Sequence, residues 1–168
     1  MRKILISVIA TACLGLSALA ADTTPATLLA HLKKSQAFTI KVAEQMPEAD
    51  YGFKLTPAQM SFAEQLAHIA NANYYFYGTL AGEKNGDPKP ASLSKTDVIA
   101  FLNKSFAYAE TVLTKTTPEQ LNKMYSAEGG QMSGLELVML AFDHTTHHRA
   151  QTEMYLRAKG ITPTKYTF

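Results

Sequence analysis

The chain has 168 residues, with 16 Lys+Arg against 14 Asp+Glu, 46% hydrophobic residues and one cysteine. That size gives one ordinary domain with room for a core. The near-balanced charge argues against nucleic acid as a partner, because no basic excess is available to neutralise phosphates.

Residues 1–20, MRKILISVIATACLGLSALA, read as a secretory leader. Arg2 and Lys3 form a basic start, Ile4 to Leu19 an apolar run, and Ala18-Leu19-Ala20 an A-x-A cleavage site. Cys13 would be the modified residue of a lipoprotein, but Ala10 stands three residues before it and apolar sequence continues past it. The run is also short for a membrane span. Cleavage after Ala20 is therefore expected, with residues 21–168 as the domain, a periplasmic or secreted location, and no stable membrane anchor. Arg2 and Lys3 leave with the leader, so 14 Lys+Arg then face 14 Asp+Glu. Cys13 leaves as well, which excludes disulfides and restricts any metal to nitrogen or oxygen ligands.

Repeated capping patterns mark the helix starts. Thr24-Pro25, Thr56-Pro57-Ala58-Gln59 and Thr117-Pro118-Glu119-Gln120 place Thr at the N-cap and Pro at N1. The last two add Gln at N3, and Ser133-Gly134-Leu135-Glu136 adds Glu, as capping boxes; Ser94 with Asp97 is a weaker version. The sequence predicts long helices over 25–46, 57–80, 95–115 and 134–159, with a short extra one over 118–123. Pro47, Gly82, Gly129-Gly130 and Gly160 with Pro163 supply the stops. Strand signals are nearly absent. The fold class is all-α, a four-helix bundle with a short helix between the third and fourth, and the 82–94 linker is long enough to cross the bundle.

The segment FDHTTHHRAQTEMYL, 142–156, holds His144, His147 and His148. Helical periodicity groups Leu137, Ala141, His144, His148, Thr152 and Tyr155 on one stripe. His144 and His148 lie about 40° apart around the axis, and His147 lies about 100° from His148. The inward pair is His144 and His148, with His147 on a more polar stripe. On the second helix His68 follows Glu64 on one face and precedes Tyr75, near the middle of the predicted 57–80 segment. Three neutral imidazoles meeting at mid-bundle suit one divalent transition metal per chain, zinc or nickel, with a coordination position left open. Glu64 is the one candidate catalytic residue, as a base or as an acceptor orienting His68. A lone histidine such as His31 more often serves packing, and Arg149 reads as structural.

TPAQMSFAEQLAHIANANYYFY followed by DHTTHHRAQTEMYLRAKGITP resembles the DinB/YfiT-like superfamily of metal-binding four-helix bundles. The resemblance rests on Phe62, Glu64 and His68, the H-x3-H-R-x-Q run and the closing G-I-x-P; Ala150 stands where the family often has Gly. It implies a metal held by His68, His144 and His148. Characterised members include thiol-dependent isomerases and S-transferases, a chemistry that export would weaken here, since such thiols are cytoplasmic. Two function classes follow: an exported metal-dependent enzyme of hydrolase or transferase type acting on an unknown small molecule, or a non-catalytic metal- or ligand-binding stress-response protein. A homodimer is compatible with either.

Overall fold

The computed structural model describes residues 24–166, apart from 85 and 128; the leader read over residues 1–20 lies outside the described residues. Five helices follow in order: α1 (Pro25–Gln45), α2 (Phe62–Ala81), α3 (Lys95–Lys115), the short α4 (Pro118–Asn122) and α5 (Gly134–Ala158). A 3-10 turn at Glu48–Asp50 follows α1, and strands β1 (Met124–Ala127) and β2 (Gly130–Ser133) lie between α4 and α5.

The caps explain most boundaries. Thr24, Ser94, Thr117 and Ser133 each accept a hydrogen bond from the backbone three residues on. Gln120 and Glu136 close capping boxes over α4 and α5. At the end of α5, Gly160 adopts φ +74 and donates to the Arg157 carbonyl, while Ile161 donates to Leu156, a Schellman stop.

Two expectations are corrected. The second helix begins at Phe62 rather than Pro57, because Ser61 and Glu64 form a complete capping box there. Thr56 and Gln59 make only a turn, with Gln59 N donating to the Thr56 carbonyl. His68 consequently sits two turns from the start of α2, not at its middle. The Gly129-Gly130 break, read as an interruption, turns a two-stranded antiparallel hairpin in which Ala127 faces Gly130 and Met124 faces Ser133. Strands this short carry too few residues for alternation to be read.

Helix α2 packs on α3 and α5, and α1 packs on the same two. Cross-helix bonds fix the directions. Gln65 meets Gln151 and Tyr155 meets Met60, so α2 and α5 run antiparallel. Lys33 pairs with Glu110 and Lys95 reaches the Glu44 carbonyl, so α1 and α3 are also antiparallel. Arg149 meets Ser35 while Gln45 meets Thr162, so α1 and α5 run parallel. The two middle helices must then point the same way, and the 82–94 linker has to return along the bundle. Its extended reach of about 40 Å exceeds the roughly 30 Å length of a 20-residue helix. The core holds Leu32, Phe62, Leu66, Ile69, Phe106 and Leu137, all buried. No helix among the described residues is long and apolar enough to cross a membrane.

Candidate metal centre

The stripe read on α5 is the buried one: Leu137, Ala141, Thr152 and Tyr155 are buried, and His144 and His148 are half-buried where the stripe meets α2. His68 faces them from α2. The three rings form a near-equilateral triangle, with centroids 4.8 Å apart for His68–His144, 4.5 Å for His68–His148 and 4.4 Å for His144–His148. Nε2 of His144 lies 3.1 Å from Nε2 of His68. One ligating nitrogen from each histidine lies within 4.8 Å of the others, and the group includes no carboxylate or thiolate among the described residues.

The electrostatics favour neutral rings. Burial lowers all three pKa values, and the neighbouring imidazoles lower two of them further. His144 falls to about 4 and His148 to about 3, and His68 is lowered by burial and then by Lys89. A metal ligand must be an unprotonated imidazole, so these nitrogens are in the required form without a proton having to leave.

The cluster is not a closed hydrogen-bond network of the kind a packed core builds. The two Nε2 atoms facing each other can share only one proton when both rings are neutral, and Nδ1 of His144 is buried without a partner. An orphaned buried polar atom costs about 1–3 kcal/mol. Converging nitrogens in an unsatisfied cluster are the donor set for a borderline divalent cation such as zinc, which takes imidazole nitrogen at about 2.0–2.1 Å. The residues present therefore fit a metal, which His68, His144 and His148 could hold.

The orienting group is one residue from where it was sought. Gln65, buried in α2, places Oε1 2.6 Å from Nδ1 of His148, and its Nε2 donates to Gln151 Oε1 at 2.8 Å. An amide oxygen can only accept, so His148 carries its hydrogen on Nδ1 and keeps the Nε2 lone pair free. Glu64 has another job. Its Oε2 accepts from the Ser61 backbone at 2.6 Å and pairs with Lys54 at 3.2 Å. Those bonds, the Ser61 backbone one first, hold its carboxyl below the usual carboxylate range. Its carboxylate caps α2 and makes no bond to His68. Periodicity placed Glu64 and His68 on one face correctly; the capping box four residues upstream of His68 was the signal that Glu64 was committed elsewhere.

The remaining candidates fall as follows. His147 is exposed and lies 2.8 Å from Gln151 through Nε2. His31 packs edge-on against Phe142, at 4.5 Å between centroids, away from the triad. Arg149 is buried, bonds the hydroxyls of Ser35 and Thr39, and stacks 4.6 Å over Phe38, a structural role linking α5 to α1. Tyr75 lines a cleft of about 660 Å³ that His68 and His144 share with Phe76, Leu140 and Lys89. A second cleft, about 580 Å³, runs along α5 past Leu140, His144, His147, Gln151 and Met154. The returning 82–94 linker brings Asp87 and Lys89 to the rim, Asp87 accepting from Asn71 at 3.2 Å.

Comparison with known proteins agrees with this architecture. The sequence profile of the DinB superfamily matches residues 20–152. The uncharacterised protein YjoA of Bacillus subtilis strain 168 is 26% identical over 140 residues, 80% of this chain and 90% of its own length. The crystal structure of that DinB-like protein superposes with a TM-score of 0.69 at 21% identity, over 83% of this chain and 96% of that one. A DinB-like protein from Bacillus cereus ATCC 10987 gives a TM-score of 0.74 at 18% identity, over 83% and 95% of the two chains. YfiT from Bacillus subtilis, described as a probable metal-dependent hydrolase with an unusual four-helix bundle topology, gives 0.63 at 16% identity over 82% and 89%. At these identities the structural likeness establishes the fold.

Proposed function

This chain belongs to the DinB superfamily, and from that premise we propose that it is an exported metal-dependent enzyme of hydrolase or transferase type, using zinc or nickel. The observation that carries the reading is the convergence of three neutral imidazoles from two helices, with His144 lining both clefts and His68 one of them. His68, His144 and His148 would hold the ion, and Gln65 keeps the His148 ring in the tautomer that offers Nε2. With three neutral ligands the ion would keep its full charge and supply Lewis acidity, bringing the pKa of a bound water towards about 7. Phe76 and Leu140 line both clefts beside His144 and keep that wall apolar, which strengthens electrostatic interactions made there. The description of YfiT as a probable metal-dependent hydrolase supports the same reaction class. Export rests on the leader pattern of residues 1–20 and predicts an amino terminus at Ala21 in the periplasm or medium, which intact mass measures.

The second reading is a non-catalytic metal- or ligand-binding protein, and one observation favours it: the carboxylate of Glu64 is spent on capping α2. Cobalt-substituted protein separates the two. An enzyme with an open position gives a visible spectrum that changes on adding azide, with about one cobalt per chain lost in His68→Ala and His148→Ala. A spectrum indifferent to azide favours the non-catalytic protein, and cobalt retained in both variants rules out the triad.

A further inference from the structure

His147, on the polar stripe of α5, is tied to the triad by a hydrogen-bonded chain. Nδ1 of His148 meets Gln65 Oε1 at 2.6 Å, Gln65 Nε2 meets Gln151 Oε1 at 2.8 Å, and Gln151 Nε2 meets His147 Nε2 at 2.8 Å. A carboxamide gives hydrogens only through nitrogen and accepts them only through oxygen. Two amides in series therefore have one shared direction: reversing either sets two oxygens or two nitrogens face to face. Fixing either end of the chain fixes the other.

The direction matters at both ends. In one sense His148 has its hydrogen on Nδ1 and its Nε2 lone pair free, while His147 accepts at Nε2 and holds its own hydrogen on Nδ1. In the reverse sense His148 carries hydrogen on Nε2, where it blocks ligation, and His147 donates from Nε2. We propose that the Gln65–Gln151 relay, running in the sense that leaves His148 Nε2 free for a metal, makes His147 a substrate-positioning donor, its Nδ1–H offered to the cleft along α5. The inference rests on the metal reading above. A neutral histidine in water holds its proton mainly on Nε2, so the relay imposes the less common form.

The cleft indicates what such a donor would bind. Phe76, Leu140 and Met154 line it, and Leu140 and Met154 are among the exposed large apolar side chains. Asp143 lines it as well, one turn before His147, so an anionic group would meet like charge there. An uncharged carbonyl oxygen on an apolar body, an ester or amide, meets the donor and the apolar wall together. The same cleft contains His144, which places such a carbonyl beside the metal ligands.

The test reads tautomers directly. Protein with ¹⁵N-labelled histidine is loaded with zinc, and long-range ¹H–¹⁵N spectra are recorded, with His147→Gln assigning the resonance. Zinc-loaded wild type should show His147 protonated at Nδ1. In Gln151→Glu the carboxylate still accepts from Gln65 but cannot donate, so zinc should stay bound while the His147 proton moves to Nε2. Gln151→Met should give the same move by removing the relay. N-methylbutanamide added to the zinc-loaded wild type should shift the His147 Nδ1–H resonance. The proposal is overturned if His147 is in the same state in wild type and both variants, or if zinc-loaded wild type holds the proton on Nε2. Loss of zinc in both variants overturns it too, since Gln151 would then serve the triad and not His147. Absence of an amide-induced shift removes the assigned substrate class. If wild type takes up no zinc, the metal reading itself has failed; zinc bound with an indifferent His147 fails this inference alone.

Discussion

Gln65→Met isolates the orienting role of the buried amide. Methionine has nearly the same length and volume, so the buried space is largely filled while the hydrogen bonds to His148, Gln151 and Tyr155 disappear. His148 loses its 2.6 Å acceptor and Gln151 loses its 2.8 Å donor. Two consequences differ in size and in assay. Removing a group that fixes a metal-ligating histidine lowers affinity about 10–100-fold, or about 1.4–2.8 kcal/mol. Leaving Nδ1 of His148 half-buried and unpaired costs the metal-free protein about 1–3 kcal/mol, with the half-exposed Gln151 partly rescued by water. Zinc affinity measured by competition with a chelator reads the first effect, and urea unfolding of the metal-free protein reads the second. Gln65→Glu provides the contrast. A carboxylate still accepts from His148, more strongly than an amide, so zinc affinity should equal or exceed that of wild type even if stability falls. Wild-type affinity in Gln65→Met, or an equal loss in both variants, would refute the orienting role.

Three further outcomes follow from the same geometry. Gly134→Ala should destabilise the fold by about 1–3 kcal/mol in urea titration, because a Cβ there would run into the Gln120 carbonyl oxygen and the Leu80 side chain. Glu64→Gln should leave metal occupancy unchanged while Ser61→Ala lowers stability by about 1 kcal/mol, since these residues cap α2 and do not touch the triad. The metal-free protein should lose stability as pH falls from about 6.5, the unfolded histidine value, towards the folded values of about 4 for His144 and about 3 for His148. The sign follows from the depressed folded values: below pH 6.5 the unfolded chain takes up protons that the native rings refuse, and above it neither state does. His148→Gln should flatten that slope above about pH 5, where carboxylates scarcely titrate; an unchanged slope would contradict the burial of the neutral ring.

How much of this was legible depends on how local the governing physics is. Thr24, Ser94, Thr117 and Ser133 announce their helices because a cap needs only its own side chain and the next three residues. The same locality misled at Thr56, where Thr-Pro-Ala-Gln satisfies the cap pattern but Ser61 and Glu64 satisfy it too. The choice is made by which start lets Phe62, Leu66 and Ile69 enter the core together with a buried Tyr51, a tertiary matter. The hairpin was hidden for a related reason. Met124–Ala127 and Gly130–Ser133 are four residues each, and they hold their pairing where the β2 end leads directly into the capping box of α5.

The site was half legible for a reason that separates ligands from their supports. Candidate ligand histidines reveal themselves through helical periodicity, because His144 and His148 would have to share a stripe to share a metal. A supporting group needs only to reach a ligand from an adjacent helix, and nothing in its own segment marks it. Gln65 is adjacent in sequence to Glu64 and about 100° from it around α2; that rotation turns one side chain to the capping box and the other to His148. The same logic of stripes puts His147 on a separate face, about 100° from His148. Yet the amides of Gln65 and Gln151 span that angle, and a residue on the polar stripe is thereby coupled to the inward one. Periodicity assigns residues to faces; a relay of two carboxamides connects faces, and its direction, once an end is fixed, leaves neither histidine free to choose its tautomer.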